Sequence, residues 1–238
     1  MHPRHYSRFL RWGLGLFAIA ALAPDASASE LLRPVRHHSP PYESYKLPEY
    51  FATIGAGAFD PSSQPGSGFY LTGSAGSVLA HKVDLGLQIS WYHRSTGGGA
   101  EFVSSGTLPD GTVVQTSVEG NSVDTDLLPV MGVLRVRFPI AGSGIEPYVG
   151  AAAGWEWLTI EGIDNQGFVF HNDYDGFGAQ FLAGMNLSVG PGASLYGEAV
   201  YNLSTVHAEF YDPFYDRVVR EEADFDGIGL HGGLRLRF

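Results

Sequence analysis

The sequence predicts an all-β protein, an eight-stranded antiparallel up-and-down transmembrane β-barrel. One observation is the last segment, residues 229–238, in which leucine alternates with glycine, histidine and arginine until the chain stops on Phe238. A second is that eight segments of the chain repeat this alternation, and a third is that the connections between them are alternately short and long. Alternation with a period of two directs one set of side chains towards lipid and the other towards the barrel lumen.

The first 48 residues carry a different pattern. Three arginines precede a short apolar segment at 12–22, and small residues fit a cleavage site after Ala28, which is typical of a secretory signal peptide. About 11 apolar residues are too few for a spanning helix, which needs roughly 20. We therefore expect residues 1–28 to be a signal peptide and the proline-rich residues 29–48 to be a flexible periplasmic segment, followed by the barrel at 49–238.

Composition excludes several classes of function. The chain has no cysteine, which excludes disulfides, thiolate metal sites and cysteine nucleophiles. Loss of residues 1–28 would remove three arginines and one aspartate and change the net charge from −11 to −13. An acidic chain without a basic stripe is unsuited to nucleic acid, whose phosphates require clustered lysine and arginine. We also expect no cofactor.

The predicted strands follow one another with connections of two kinds. They lie near 49–60, 68–80, 83–95, 126–140, 145–162, 176–190, 194–209 and 224–238. The third is the clearest, with Val83, Leu85 and Leu87 on one face and Asp84 and Gly86 on the other. Short links at 81–82, 141–144 and 191–193 predict turns at one end, and longer links at 61–67, 96–125, 163–175 and 210–223 predict loops at the other. In a soluble β-sandwich, nothing requires short and long connections to alternate in this way.

The small-residue segment 147–154 (PYVGAAAG), followed by Trp155-Glu-Trp157, resembles a strand of the OmpA/OmpX/OmpW-type eight-stranded outer-membrane β-barrel family. The resemblance covers about residues 49–238 and identifies no individual protein. It implies an integral protein of the outer membrane of a Gram-negative-type bacterium, in contact with outer-membrane lipids and lipopolysaccharide. It also implies that the barrel-assembly machinery recognises the C-terminal strand. The oligomeric state stays open.

Aromatic residues near the strand ends predict two membrane girdles. Near the loop ends lie Trp91, Trp155, Trp157 and Phe59, and near the turn ends lie Tyr50, Phe138, Tyr148 and Phe238. The positions between them on the outward face are Val, Leu, Ile and Ala. Two aromatic belts around an apolar band are what the two membrane interfaces select.

Charged residues on the inward face predict a cluster in the lumen near the turns. Its members are Arg135, Arg137, Arg235, Arg237, Asp84, Glu146 and Glu198, with Glu49 as a further candidate. An isolated buried charge costs several kcal/mol, so these groups should pair with one another. Because eight strands leave room only for side chains, we favour a plug of ion pairs. A gate or selectivity constriction is the alternative.

The best catalytic candidate is His93-Arg-Ser95, whose spacing places an imidazole and a hydroxyl on one strand face. It resembles the His-x-Ser pair of a lipid A deacylase. No outward carboxylate is evident to orient the histidine, although such sites normally have a third group. Ser204 and His207 have an odd spacing and should face opposite sides of their strand. We therefore predict that the protein is not an enzyme.

The predicted third and fourth loops are acidic. The carboxylates in or beside these loops are Asp164, Asp173, Asp175, Glu209, Asp212, Asp216, Glu221, Glu222, Asp224 and Asp226. They would keep a cell surface solvated, or bind divalent cations, but they lack the spacing of a calcium loop, and we assign no metal site. The favoured function is a surface or membrane-integrity role through extracellular loops. The alternatives are a narrow channel for small or hydrophobic solutes, as in OmpW-like barrels, and a lipid A-modifying enzyme.

Overall fold

The computed structural model describes residues 49–62, 66–107, 113–164, 166–212 and 217–238. Within these ranges, side chains are described except at 98–107, 113–121, 164, 210–212 and 217–219. The predicted signal peptide at 1–28 and the segment at 29–48 lie outside the described residues, as does Asp216.

The described chain forms one closed antiparallel sheet. Its strands are β1 (Glu49–Pro61), β2 (Gly68–Leu79), β3 (Val83–Thr107), β4 (Val113–Arg137), β5 (Ile145–Asp164), β6 (Val169–Gly190), β7 (Ala193–Asp212), β8 (Arg217–Asp224) and β9 (Gly227–Arg237). The last two continue one another across Phe225 and Asp226, and both pair with β7, so they count as one strand of the ring. The prediction of an eight-stranded up-and-down barrel is confirmed.

The ring closes between the first and last strands. Residues 51–61 of β1 pair with residues 227–237 of β9. Beyond the last pair, Tyr50 and Phe238 exchange two backbone hydrogen bonds of 2.8 and 3.1 Å, and their rings stack with centroids 6.3 Å apart. Phe238 therefore lies on the seam of the barrel.

The loop end of the barrel is longer than the sequence predicts. Most of the predicted loop at 96–125 is strand, because β3 and β4 each have 25 residues and pair up to Thr107 and Val113. Ladder hydrogen bonds come from the backbone, so the Gly, Ser and Thr of this segment do not prevent pairing. Above the short β1–β2 hairpin, β8 pairs directly with β3 at residues 105–107.

The outward face carries a band of exposed apolar side chains. Leu87, Phe181, Val149 and Leu230 are more than half exposed although each lies within a paired strand. A water-soluble barrel does not expose a continuous apolar band, whereas lipid requires one. This is the outer surface of a transmembrane barrel. Among the described residues, no helix has the length and hydrophobicity that a membrane-spanning helix requires.

Candidate functional site

The structure brings the predicted lumen charges together at the turn end. The arginines come from β4 and β9, and the carboxylates come from β3, β5 and β7, all on the inward parity of their strands. We call this cluster the charged plug. Its members are Arg135, Arg137, Arg235, Arg237, Asp84, Glu146 and Glu198, together with Glu49 and His231.

Asp84 is at the centre of the charged plug. Arg235 donates to both of its carboxylate oxygens, at 2.6 and 3.0 Å, and Arg137 Nε donates to Oδ1 at 3.1 Å. All three side chains are buried. Because β3 and β9 are separated in the ring by β1 and β2, the Arg235–Asp84 pair crosses the lumen. Arg137 also donates to the His81 carbonyl at 3.0 Å, which fixes the β2–β3 turn.

A second pair crosses the lumen between β4 and β7. Arg135 donates to Glu198 through Nε at 2.9 Å and a terminal nitrogen at 3.3 Å. The same guanidinium reaches Gln88 at 2.9 Å and Ser74 at 3.3 Å. His231 Nε2 lies 3.1 Å from Glu198 Oε1 on the other side. The sequence places His231 on the inward parity but does not predict this contact.

The outer edge of the charged plug is partly exposed. Arg137 donates to Glu146 at 3.0 Å, and Arg237 lies 3.6 Å from Glu146 and 3.7 Å from Glu49. Glu146 and Arg237 side chains are 20% and 26% exposed, in contrast to the buried pairs above them. The four arginines of the charged plug thus face four carboxylates, so these charges balance within the charged plug.

The loop half of the lumen is filled by apolar and aromatic side chains, which we call the aromatic plug. Phe59, Tyr70, Tyr92 and Phe225 make ring contacts with centroid distances of 5.5 to 6.0 Å. They pack with Val123, Leu127, Leu158, Ile160, Tyr174, Val206 and Ala223. Buried side chains thus fill the described part of both halves of the lumen.

The girdle prediction is correct in part. Trp91, Trp155, Trp157, Phe138 and Phe238 face outward and are exposed.

Two aromatic residues assigned to the girdles face the lumen instead. Tyr148 is 4% exposed and Phe59 is 3% exposed. Parity decides both cases, because Tyr148 alternates with the outward Pro147 and Val149, and Phe59 shares the face of Phe51. Tyr148 therefore packs within the lumen at the turn end, and Phe59 belongs to the aromatic plug.

Beyond the loop-side girdle, the outward face becomes acidic. This belt, which we call the collar, contains Asp124, Asp126, Glu161, Asp173, Asp175, Glu209, Glu222 and Asp224, with His93, His171 and His207 between them. Trp155 of the girdle donates to Asp175 at 3.0 Å, and Thr205 donates to Asp224 at 2.9 Å. Several predicted loop acids are therefore outward residues on strands.

The expectation that no outward carboxylate orients His93 is wrong. Asp126 is its register partner on β4, and Asp126 Oδ1 lies 3.0 Å from His93 Nδ1. Trp91 donates to the same oxygen at 2.9 Å and stacks on the imidazole with centroids 5.5 Å apart. Ser95 lies on the same strand face, two residues further on. Ser204 faces the lumen and His207 the exterior, as their spacing predicts.

His171 lies beyond the apolar band between two carboxylates of the collar. Its Nδ1 is 2.8 Å from Glu161 and its Nε2 is 3.0 Å from Asp173. Partial burial lowers the pKa of His171, but the Asp173 and Glu161 carboxylates outweigh burial and raise that pKa above its ordinary value. Within the described residues, no three His, Cys, Asp or Glu side chains are arranged to hold a metal ion.

Comparisons with known proteins support the fold alone. No protein-family model matches the chain, and no curated protein matches it. Neisserial surface protein A has 18% sequence identity and a TM-score of 0.50, with 80% of this chain and 97% of that one covered. The outer membrane protein OprG from Pseudomonas aeruginosa has 15% sequence identity and a TM-score of 0.48, with 81% of this chain and 97% of that one covered. The fold is that of small outer-membrane β-barrels.

Proposed function

We propose that the protein is an integral outer-membrane protein with a closed barrel and a non-enzymatic role in surface contact or membrane integrity. The observation that carries the proposal is the filled lumen. The charged plug occupies the turn half and the aromatic plug occupies the loop half, which supports a barrel without a route for solutes. The surface through which the protein acts is then the outer face of the barrel.

The collar is the part of the surface best placed to act. It lies just beyond Trp91, Trp155 and Trp157, at the level where a bilayer's head groups begin. Its carboxylates would be attracted to cations that neutralise lipopolysaccharide phosphates, which makes outer-membrane lipids and lipopolysaccharide the proposed partners. In assembly, β9 would be recognised by the barrel-assembly machinery before it closes on β1.

A gene deletion complemented with variants tests this role. The deletion should increase entry of detergent and of a hydrophobic dye, and wild-type protein should restore the barrier. A variant with four outward acids replaced by their amides (Glu161→Gln, Asp173→Asn, Asp175→Asn and Asp224→Asn) should assemble but fail to restore it. If the deletion instead lowers uptake of small solutes while the barrier stays intact, the protein is a channel and the proposal is wrong.

A second candidate function rests on the Asp126–His93 contact. Asp126, His93 and Ser95 have the residue types of a nucleophile, a base and an orienting acid on one outward surface. Below them, Gly132, Ala151 and Ala153 line a shallow apolar groove. Asp126 and Gly132 are six residues apart, which is about 20 Å at roughly 3.3 Å per residue, comparable to an acyl chain. The substrate class would be an acyl ester of a membrane lipid.

In that reaction, Ser95 Oγ would attack the acyl carbon while its proton passes to His93 Nε2. The proton would then leave with the alcohol as the ester C–O bond breaks, and water would release the fatty acid from Ser95. Release of fatty acid from mixed lipid micelles should stop in Ser95→Ala and persist in Ser122→Ala, an outward serine on the adjacent strand. Equal release by both variants would exclude this candidate.

A further inference from the structure

Glu156 is a buried carboxylate that belongs to neither plug. It faces the lumen from β5, two residues before Leu158 of the aromatic plug, and its exposed fraction is 0%. Neither carboxylate oxygen has a hydrogen-bond partner among the described residues. The arginines of the charged plug are engaged with other carboxylates. An uncompensated buried carboxylate costs several kcal/mol, so Glu156 in its ionised form requires a compensating positive charge.

Gly178 determines where the Glu156 side chain goes. The carboxyl group lies directly over Gly178 of β6, and a Cβ at that position would occupy the space of the carboxyl carbon and Oε1. Glu156 therefore reaches across β6 to β7. There, Ser204 is the register partner of Gly178, and Asn202 is two residues further on the same face. Both side chains lie near the Glu156 carboxyl, although neither makes a hydrogen bond of good geometry with it.

The orientation of Asn202 is fixed by the backbone. Its Nδ2 donates to the Phe225 carbonyl at 3.0 Å, and turning the amide over would place Oδ1 against that carbonyl oxygen. Asn202 Oδ1 is therefore an acceptor, and in the described structure neither it nor Ser204 Oγ has a hydrogen-bond partner. Asp226 accepts from the Ser204 backbone N–H at 2.9 Å and adds negative charge nearby.

We propose that Glu156, Asn202 and Ser204 bind a single alkali metal cation, Na⁺ or K⁺, in the lumen between the two plugs. The three groups supply only oxygen ligands, which hard cations prefer. One carboxylate balances one positive charge, and the cation accounts for all three unpartnered groups. A divalent ion would call for more carboxylate ligands than this position offers.

The cation dependence of unfolding tests the site. Refolded full-length barrel in lipid vesicles is unfolded in urea at constant ionic strength, with NaCl or KCl replaced by N-methylglucamine chloride. At concentrations of the free cation well above its dissociation constant, each tenfold increase in that concentration should raise the folded-to-unfolded ratio tenfold. Glu156→Gln has the same shape without the charge and should lose this response. Glu146→Gln, which alters a paired carboxylate of the charged plug, should keep it.

Two results would overturn the proposal. One is the same cation response in wild type and Glu156→Gln. The other is no cation response in wild type, and greater stability of Glu156→Gln would then identify Glu156 as a neutral acid. If Glu156→Gln does not fold, crystals of the wild-type protein soaked in RbCl decide the question. An anomalous peak between Glu156 and Asn202 supports the site, and its absence refutes it.

Discussion

The two halves of the lumen are closed by opposite kinds of interaction. At the turn end, four arginines and four carboxylates pair with one another, and the central groups, Asp84, Arg137 and Arg235, are buried. At the loop end, the rings of Phe59, Tyr70, Tyr92 and Phe225 fill the lumen instead of ion pairs. Loss of one group therefore has different consequences. In the charged plug it leaves a buried charge without a partner, whereas in the aromatic plug it leaves a cavity.

The comparison predicts the largest effect at Asp84. Asp84→Ala leaves both Arg137 and Arg235 without their shared carboxylate and should lower the free energy of unfolding by about 3–5 kcal/mol. Urea unfolding in lipid vesicles, followed by tryptophan fluorescence, measures this loss. Asp224→Ala removes an exposed carboxylate and serves as the control. Equal losses in the two variants would show that the charged plug is hydrated and weakly coupled.

Phe225→Ala should have the next largest effect. Removal of a buried ring from the aromatic plug should cost about 3 kcal/mol, because the neighbouring rings relax only partly into the cavity. The loss should not depend on salt, because the substitution removes no charge. Phe168→Ala is the matched control, because Phe168 lies between β5 and β6 at the loop end and is 67% exposed. If both phenylalanine variants lose the same amount, the loop half of the lumen is not packed as described.

Replacement of Glu146 tests the partly exposed edge of the charged plug. Glu146→Ala should cost about 1.5 kcal/mol, the lower end for hydrogen bonds to charged groups, because its side chain is 20% exposed. Arg137→Ala should cost more, since it also removes a partner of Asp84. We therefore expect the double variant to be less stable than Glu146→Ala, with a coupling energy of about 1 kcal/mol. A double-mutant cycle in urea measures it, and zero coupling would contradict the Arg137–Glu146 contact.

His171 should give the smallest effect, and one that depends on pH. Because its pKa is raised in the folded protein, protonated His171 stabilises the fold below its ordinary pKa, and this contribution is lost as pH rises through the raised value. Solvent screening limits an exposed pair to roughly 0.2–1 kcal/mol. Unfolding of wild type and His171→Gln should therefore differ at acidic pH and converge at alkaline pH. A difference that grows with rising pH would contradict the assignment.

Alternation along the strands allowed the fold and the set of lumen charges to be predicted from the sequence. It could not predict which charges pair, because Asp84 faces Arg135 in the β3–β4 register yet bonds to Arg137 and Arg235. Those choices depend on barrel closure. Tyr148 and Phe59 were misassigned because nearness to a strand end was given more weight than parity.

The remaining misses have physical causes as well. Residues 96–125 have the composition of a loop, but backbone pairing between β3 and β4 does not depend on side chains. Asp126 was overlooked as a partner of His93 because the two are 33 positions apart, and only the hairpin register makes them neighbours. Glu156 lies between two girdle tryptophans in the sequence, and its inward parity was the available signal.

The central claim, that the lumen is closed by the charged and aromatic plugs, is tested most directly by single-channel recording of the refolded wild-type protein in a planar bilayer. Folding is checked first by the difference in gel mobility between unheated and boiled samples. The account predicts that inserted, folded protein passes no steady current in concentrated KCl. A stable open state in the wild-type protein would contradict the account. A change of its ion selectivity in Glu146→Ala would then identify the charged plug as the constriction of a channel.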